Sequence, residues 1–321
     1  MYVPGKVIPN SYFDELLGEN VSEWLADNVQ IFERRWCNDN QSVADLCIEA
    51  AKAAMVNGSV RPEEVDLLII ATDTPEYISP STASKIQHAL GLKNSGTFDL
   101  NSACAGFVTA LDVASKYILA DKNYNTVMII GAYAMSKYLD MTDKKTVTLF
   151  ADGAGAMILK SETASSDKRG YLTSQLITQG QYSGYMGIYG GGTHHPLDVA
   201  AIENKDHLLK FVTKFPKELN PQMWSQMILS LCERLDISPL NVSQYLMTQI
   251  NINSIRETMD IIGVGYDKAK TVMHYYGYTG SACIPIAFSE ALKEGRFKRG
   301  DTIIFVGSGG GLAFASAAFK Y

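Results

Sequence analysis

The sequence predicts an α/β layered fold. Short β-branched or apolar runs recur along the chain, at residues 65–71, 126–130, 156–159, 244–248 and 302–306. Between them lie segments with apolar residues at helical spacing, of which the Ala-rich stretch 42–57 is the clearest. Strands that alternate with helices are typical of proteins in which helices cover the faces of a sheet.

The order of these elements is repeated along the chain. A helix, the strand run VDLLIIATDT, a second helix and the strand run NTVMIIGAYA occupy the first half. A helix, the run SQYLMTQIN, a further helix and the run DTIIFVGSGGG occupy the second. This order predicts a duplicated αβ unit, with halves at residues 1–165 and 166–321. The glycine-rich stretch 180–196 is predicted to be an irregular segment over a site.

Composition and charge restrict the function. The 321 residues are 46% hydrophobic, which is enough for the packed core of about two domains. Against 34 Asp and Glu there are 28 Lys and Arg, giving a net charge of -6 without a basic block, so a nucleic-acid-binding surface is not predicted.

The cysteines and the apolar runs indicate the cellular compartment in which the protein is expected. The five cysteines are odd in number and follow neither a Cys-x-x-Cys nor a Cys/His pattern, so we expect a reducing cytoplasm and no metal site. The longest apolar run, 302–319, is interrupted by glycines and predicts a strand, a turn and a strand. No membrane span or signal peptide is therefore expected.

The strongest candidate for chemistry is Cys104. In the stretch FDLNSACAGFVTALDVASKYIL it follows a short strand and two small residues, and it precedes an apolar helix of about four turns. Free backbone N–H groups and the dipole at a helix N-terminus favour a thiolate, so a lowered pKa and a nucleophilic thiol are predicted. The alternative is a small buried hydrophobic residue, which we retain for the other four cysteines.

Several segments together resemble the β-ketoacyl-acyl carrier protein synthase III family of the thiolase superfamily. NSACAGFVTALDVA resembles the active-site segment of that family, TDKKTVTLFADGAGAMIL its next strand pair, and SGGGLAFASAAFKY its C-terminal glycine turn and last strand. DLLIIATDTPEYISPSTASKIQHALGL also matches in order and spacing. The resemblance covers nearly the whole chain, although the first strand is short, as if opening residues were missing.

The resemblance implies a condensing enzyme with a five-layered, thiolase-like αβαβα fold. Such an enzyme is a homodimer, or a heterodimer with a paralogue, and a buried tunnel receives acyl groups carried on CoA or on the phosphopantetheine of an acyl carrier protein. No further cofactor is implied. Cys104 matches the nucleophile that is acylated before condensation with a malonyl thioester. The backbone N–H groups of Gly310 and Cys104 match the oxyanion hole.

Two motifs that complete the family's site have changed. Where the family has His-Gln-Ala-Asn, this chain has Thr248-Gln249-Ile250-Asn251. Where the family has Gly-Asn-Thr-Ser, this chain has Gly277-Tyr278-Thr279-Gly280.

The changes remove the histidine and asparagine donors of the family. Thr248 and Tyr278 stand in their places, although a count from the preceding strand would put Gln249 at the histidine position. Ser308 stands where the family commonly has a phenylalanine that assists decarboxylation. Thr, Gln and Tyr donate hydrogen bonds but are not bases near neutral pH, so the decarboxylation site is weakened or rebuilt, or has drifted in an unused pocket.

The same comparison gives candidate substrate-binding residues. Trp24 precedes the position of the arginine that grips the nucleotide in the family, and Asn28 occupies that position, which lowers the expected affinity for CoA. Glu76 and Ser79 lie in the loop that crosses the family's dimer interface. A carboxylate at Glu76 could serve as a base if burial raised its pKa, and the small Ser79 predicts a roomier acyl pocket. The remaining candidates are Gln249, Asn251 and Ser308.

Two further features are candidates outside this set. His274, four residues before Tyr278, could reach the site. Lys210, Lys214 and Lys217 predict a basic helix that would steer an acidic carrier protein.

Three functions follow from this pattern. The first is a condensing enzyme that uses Cys104. The second is an acyltransferase without condensation, which needs no donors for an enolate. The third is a scaffolding partner of a catalytic paralogue.

Overall fold

The computed structural model describes residues 1–162 and 169–321, so the boundary placed between 165 and 166 lies outside the described residues. The strands are β1 (Lys6–Pro9), β2 (Glu33–Trp36), β3 (Leu67–Ala71), β4 (Gly96–Leu100), β5 (Thr126–Ala134), β6 (Asp152–Lys160), β7 (Gly170–Thr178), β8 (Met186–Gly187), β9 (Lys210–Phe211), β10 (Gln244–Met247), β11 (Thr302–Gly309) and β12 (Ala313–Lys320). The α-helices are α1 (Asn10–Leu17), α2 (Ser22–Trp24), α3 (Val43–Gly58), α4 (Thr82–Leu90), α5 (Gly106–Ala120), α6 (Lys144–Val147), α7 (Val199–Glu203), α8 (Leu219–Leu235), α9 (Ile252–Ile261), α10 (Met273–Tyr276) and α11 (Cys283–Lys293).

Two four-stranded sheets share a series of three corresponding strands. The first has the order β4-β3-β5-β6, in which β3 is parallel to β4 and β5, and β6 is antiparallel to β5. The second has the order β10-β11-β12-β7, in which β10 is parallel to β11 and the other pairs are antiparallel. The series β3-β5-β6 and β10-β11-β12 therefore correspond, as the duplication in the sequence predicts.

Helices and sheets form five layers. Helices α3 and α4 cover the outer face of the first sheet, and α8 covers the outer face of the second. Helices α5 and α11 lie between the sheets and contact strands of both. Three clusters of buried side chains fill the spaces between these layers. The predicted αβαβα fold is confirmed.

Local signals fix the ends of these helices. A capping box places the Ser42 and Asp45 side chains at the start of α3, as expected for the predicted helix 42–57. Helix α8 ends at Leu235, and the next residue, Asp236, caps it with a φ of 52° in the left-handed region.

Helix α5 has a special position because it is buried on several sides. The stretch Ala103–Ala120 is long and apolar enough to cross a membrane, yet 56% of it is buried inside the protein. Its contacts with β3, β5, β11 and β12 identify it as the core helix between the sheets.

One predicted element is wrong. The basic stretch around Lys210 is not a helix: Lys210 and Phe211 form the short strand β9, and the residues that follow are irregular as far as α8. The β-branched pair Val212 and Thr213 and the following Pro216 disfavour a helix here. The glycine-rich stretch 180–196 is mostly irregular, as predicted, with only one 3₁₀ turn and the strand β8.

We expect Gly131→Ala to destabilise the fold. A Cβ at Gly131 in β5 would overlap the carbonyl oxygen of Ser281 and would lie 3.1 Å from Cδ2 of Phe107. Because backbone must move to relieve this overlap, the free energy of unfolding should fall by about 1–3 kcal/mol, measured by urea unfolding followed by circular dichroism. Gly96→Ala is the control, since the nearest atom to its Cβ would be 3.7 Å away. Equal unfolding midpoints for the two variants would contradict this packing.

Candidate active site

Cys104 lies in a tight turn between β4 and α5. The Asn101 side chain accepts a hydrogen bond from the backbone N–H of Ala103 at 2.9 Å. Ala103 has a φ of 45°, in the left-handed region that residues other than glycine seldom adopt. Helix α5 begins at Gly106, so Cys104 stands just before its first turn. The strand, turn and helix predicted around Cys104 are therefore present.

The end of β11 passes directly against this turn. A Cβ at Gly309 would overlap the backbone nitrogen of Cys104, and a Cβ at Gly307 would lie 3.0 Å from the Cα of Ala105. Only glycine allows the two backbones to approach this closely. The glycine segment thus brings Gly310, the next residue, to the neighbourhood of the Cys104 backbone.

Two tyrosine side chains are neighbours of the Cys104 thiol. Tyr278 and Tyr133 both act to lower the pKa of Cys104 through hydrogen bonding, and both tyrosines are buried. The backbone of Tyr278 is held by hydrogen bonds to Leu149 and Ala151, each 2.9 Å long. Tyr133 lies near the end of β5, and its ring centroid is 6.5 Å from that of Tyr278. The thiol therefore faces two phenolic groups.

The Tyr133 ring fits because residue 280 is a glycine. A Cβ at Gly280 would lie 2.5 Å from Cε2 of Tyr133, and Gly280 has a φ of 47°. The Ser that stands here in the motif Gly-Asn-Thr-Ser would collide with this ring. Tyr133 and Gly280 thus form a matched pair beside the nucleophile.

The electrostatics of Cys104 differ from the prediction. Burial raises the pKa of the Cys104 thiol well above its usual value, the charge of Asp73 raises it further, and the hydrogen bonds from Tyr278 and Tyr133 oppose both effects. The predicted lowering of the pKa by the helix N-terminus is therefore wrong, because burial outweighs it.

The two tyrosines remain protonated. Burial raises the pKa of Tyr133 well above its usual value, and the charges of Asp73 and Cys104 add to this effect. Burial likewise raises the pKa of Tyr278, followed by the charges of Cys104 and Cys283. Both hydroxyls therefore act as hydrogen-bond donors and not as bases near neutral pH.

The fold uses the side chains of the changed histidine motif internally. Thr248 Oγ1 accepts a hydrogen bond from the backbone N–H of Ser308 at 2.9 Å. The Gln249 amide donates to the carbonyls of Met247 and Lys270 at 2.9 and 3.1 Å. The Asn251 side chain accepts from the backbone of Asn253 at 2.9 Å and so caps α9. These three side chains form hydrogen bonds with the protein backbone. For Thr248 this differs from the predicted role of a donor to the substrate.

Glu76 has partners within its own chain. Its carboxylate forms an ion pair with Lys85 and accepts a hydrogen bond from the backbone N–H of Ala44 at 3.2 Å, at the start of α3. Burial acts to raise the pKa of Glu76, but the hydrogen bonds from Lys85, Ser42 and Ala44 outweigh it and lower the pKa. The raised pKa that a base at this position requires is therefore absent.

The other predicted residues have surroundings of their own. Trp24 is 55% exposed, and its carbonyl accepts a hydrogen bond from the Asn28 side chain at 3.0 Å. Ser79 is exposed in the loop between β3 and α4. His274 donates from Nδ1 to the carbonyl of Gln30 at 2.7 Å.

A small cavity of about 80 Å³ leads to Tyr278. Its lining includes Tyr278, Ser308 and Gly310, so three predicted site residues share one cavity. Met186 and Phe215 also line it. Tyr278 is therefore both a lining residue of the cavity and a neighbour of the Cys104 thiol.

Sequence reasoning missed three residues of this site. Tyr133 is one of many residues in the apolar run of β5. Cys283, at the start of α11, is one of the four cysteines for which the sequence predicts only a buried hydrophobic residue, although it raises the pKa of Cys104 and of Tyr278. Asp73 follows β3 in the run VDLLIIATDT, where an acid after a buried strand was the available signal. No group of three or more His, Cys, Asp or Glu side chains among residues 1–162 and 169–321 is arranged to hold a metal ion.

Sequence comparison finds one family along most of the chain. Residues 98–180 match the family described as 3-oxoacyl-[acyl-carrier-protein (ACP)] synthase III, and residues 222–321 match the family of its C-terminal part. A β-ketoacyl-[acyl-carrier-protein] synthase III of Aliarcobacter butzleri is 33% identical over 321 residues, covering 100% of this chain and 95% of the relative. The Staphylococcus aureus protein of the same name is 30% identical, covering 100% and 96%.

Structural comparison gives the same relatives. The crystal structure of 3-oxoacyl-[acyl-carrier-protein] synthase III from Aquifex aeolicus has a TM-score of 0.88 and 30% identity to this chain. The match covers 100% of this chain and 97% of the other. The similarity therefore includes both sheets and the helices between them.

Alkylation of Cys104 should be slow at neutral pH and should accelerate with pH. Only the thiolate reacts, and burial holds the pKa of Cys104 high, so the rate should rise about tenfold per pH unit between about pH 7 and 9. Tyr278→Phe removes a donor to the thiolate and should lower the rate by about 10-fold or more. Iodoacetamide labelling of the Cys104 peptide, followed by mass spectrometry, measures both. Cys104→Ser is the blank and Tyr117→Phe the matched control; a rate independent of pH would contradict the assignment.

A double-mutant cycle tests the pairing of Gly280 with Tyr133. Gly280→Ala should lower the free energy of unfolding by about 1–3 kcal/mol, through overlap with the Tyr133 ring and through strain at positive φ. In a chain that already carries Tyr133→Ala, the overlap is gone and the cost of Gly280→Ala should be smaller. Thermal or urea unfolding of the four proteins gives the interaction free energy. Strict additivity would show that the ring does not occupy this space.

Proposed function

The chain belongs to the 3-oxoacyl-[acyl-carrier-protein] synthase III family of condensing enzymes, which are acyltransferases, and from this membership we propose that Cys104 carries its acyl group. In this proposal an acyl thioester loads Cys104, and the acyl group is then condensed with a second, malonyl-type thioester. The carriers are CoA or the phosphopantetheine of an acyl carrier protein. The turn that presents Cys104 and the adjacent glycine segment support this assignment.

Loading begins with attack of the Cys104 sulfur on the thioester carbonyl. The carbonyl oxygen gains negative charge, which the backbone N–H groups of Cys104 and Gly310 would stabilise. Collapse of the tetrahedral intermediate expels the carrier as a thiol and leaves the acyl group on Cys104. The contact of Gly309 with the backbone of Cys104 supports this pairing of donors.

Condensation needs a donor for the oxygen of the enolate formed when the malonyl thioester loses carbon dioxide. One observation carries the proposal: the hydroxyl of Tyr278 lies at the Cys104 thiol and its side chain lines the cavity. Since its pKa is raised, this hydroxyl keeps its proton and donates it in a hydrogen bond. The enolate carbon then attacks the acyl carbonyl, and Cys104 leaves as the thiolate.

The other two functions make different demands on this site. An acyltransferase without condensation would use Cys104 but would have no need for a buried donor at the cavity. A scaffolding subunit would need neither the strained turn nor the glycine contact at Cys104. Tyr278 and Tyr133, both buried and both directed at the thiol, favour condensation.

The loop between β3 and α4 supports a dimer. Tyr77 is 49% exposed and Ile78 is 87% exposed, an unusual state for large apolar side chains in adjacent positions. In the proposed homodimer or heterodimer with a paralogue, a second subunit covers this loop. Ser79 would then lie at the interface and contribute to the size of the acyl pocket.

Acyl loading tests the nucleophile. Intact-mass spectrometry after incubation with short, medium and long acyl-CoAs, or with the same groups on an acyl carrier protein, should show one acyl adduct on the wild type and none on Cys104→Ala. Addition of the malonyl thioester should discharge the adduct as a β-keto product. Discharge that fails would favour the acyltransferase, and loading that fails with every donor would favour the scaffold.

The variants Tyr278→Phe and Thr248→Val distinguish a hydroxyl that acts in the reaction from one that stabilises the fold. Loss of the Tyr278 hydroxyl should slow condensation by about 100- to 1,000-fold, the usual loss for one oxyanion donor. Thr248→Val removes a hydroxyl that bonds the Ser308 backbone, so it should cost about 1 kcal/mol of stability and only a small part of the rate. Product formation and unfolding are measured on both variants. A larger effect of Thr248→Val on condensation would reverse these assignments.

A further inference from the structure

Asp73 is a partly buried acid that the steps above do not use. Its Oδ1 is buried and has no hydrogen-bond partner in the described part of the chain, although the residue as a whole is only partly buried. An unpaired carboxylate oxygen inside a protein is costly, because the fold gives it no replacement for water. Such groups are often found where a reaction or a ligand uses them.

The topology brings Asp73 to the Cys104 turn. Strands β3, β4 and β5 are parallel, so their carboxyl ends lie at one edge of the sheet. Asp73 follows β3, Cys104 follows β4, and Tyr133 lies near the end of β5. A Cβ on Gly106, two residues after Cys104, would lie 3.3 Å from the Cβ of Ala71, which shows how closely the end of β3 packs against the start of α5.

The electrostatics agree with this placement. The carboxylate of Asp73 raises the pKa of both Cys104 and Tyr133. Tyr278, Tyr133 and Cys283 also affect the pKa of Cys104, and Asp152 also affects the pKa of Tyr133. Of the four groups that affect the pKa of the Cys104 thiol, only Asp73 is a carboxylate.

The thiol needs a proton acceptor. Cys104 is protonated near neutral pH because of its burial, and the two tyrosines are donors for the same reason. The Glu76 carboxylate is held by Lys85, and His274 is bonded to Gln30. Burial raises the pKa of Asp73 to about 6, which suits a base that works near neutral pH.

We propose that Asp73 is the general base for acylation of Cys104. This inference rests on the proposed role of Cys104. As the sulfur bonds to the thioester carbonyl carbon, the S–H proton moves to the Asp73 carboxylate, directly or through one water. When the tetrahedral intermediate collapses, the bond to the carrier sulfur breaks and that sulfur receives the proton. Asp73 is then ionised again, and no other reactant is consumed.

Two readouts distinguish a base from a charge that only shifts the thiol. In Asp73→Asn the negative charge is gone, so the pKa of Cys104 should fall and alkylation by iodoacetamide should become faster. Acyl loading should instead become about 100-fold slower, since a positioned base contributes at least that factor. Opposite changes in the two rates are the expected result.

The pH profile gives a second test. The ionised carboxylate is the active form, so wild-type loading at low substrate concentration should decrease as the pH falls through about 6. This decrease should be absent in Asp73→Asn and in Asp73→Ser, which guards against an effect particular to one side chain. Asp99→Asn is the matched control. Asp99 is a carboxylate in β4 that accepts hydrogen bonds from the backbone at the start of α4, and the start of α4 is the far end of the loop that carries Asp73.

The experiment uses the full chain and single-turnover loading from the acyl-CoA that loads wild type best. If both rates rise in Asp73→Asn, the carboxylate only raises the pKa of the thiol and the proposal fails. If both rates fall, Asp73 maintains the shape of the site and the proposal fails as well. If wild type is never acylated, the proposed role of Cys104 fails first, which separates the two hypotheses.

Discussion

The site depends on the close approach of two backbone segments. The turn that carries Cys104 belongs to the first sheet, and Gly307 and Gly309 belong to β11 of the second. Their contact is so tight that a single methyl group at either glycine would force the segments apart. The two sheets and the helices between them are therefore held in register at the nucleophile, and the positions of Tyr278 and Gly310 follow from that register.

Within this frame the side chains around Cys104 fit one another. Tyr278 and Tyr133 come from different parts of the chain to the same thiol, and Gly280 supplies the space for the Tyr133 ring. This fit is consistent with the proposed role of Tyr278 as a donor in the reaction at Cys104.

The sequence predicts the layers and the strand, turn and helix around Cys104 well, because both have local signals. Apolar strands alternating with helices, small residues before Cys104 and the glycines of β11 each act through the neighbouring backbone. Tyr133 and Asp73 have no such signal: they join the site because parallel strands end at one edge, which is a property of the tertiary fold. The pKa of Cys104 was mispredicted for the same reason, since a helix end is visible in the sequence and burial between two sheets is not. The helix predicted after Lys210 is absent because the β-branched residues and Pro216 of this segment outweigh its charge pattern.

The small cavity has a thermodynamic consequence. Its volume of about 80 Å³ is well below the 300–1,000 Å³ typical of small-molecule pockets, and Met186, Phe211 and Phe215 are among the residues that line it. A thioester on a pantetheine arm, the substrate class proposed above, would need these side chains to move apart before it could enter. Its apparent dissociation constant would then equal the intrinsic one divided by the fraction of molecules in the open arrangement. Under the proposed function, the affinity for every acyl donor would be scaled by that one fraction, independently of the chemistry at Cys104.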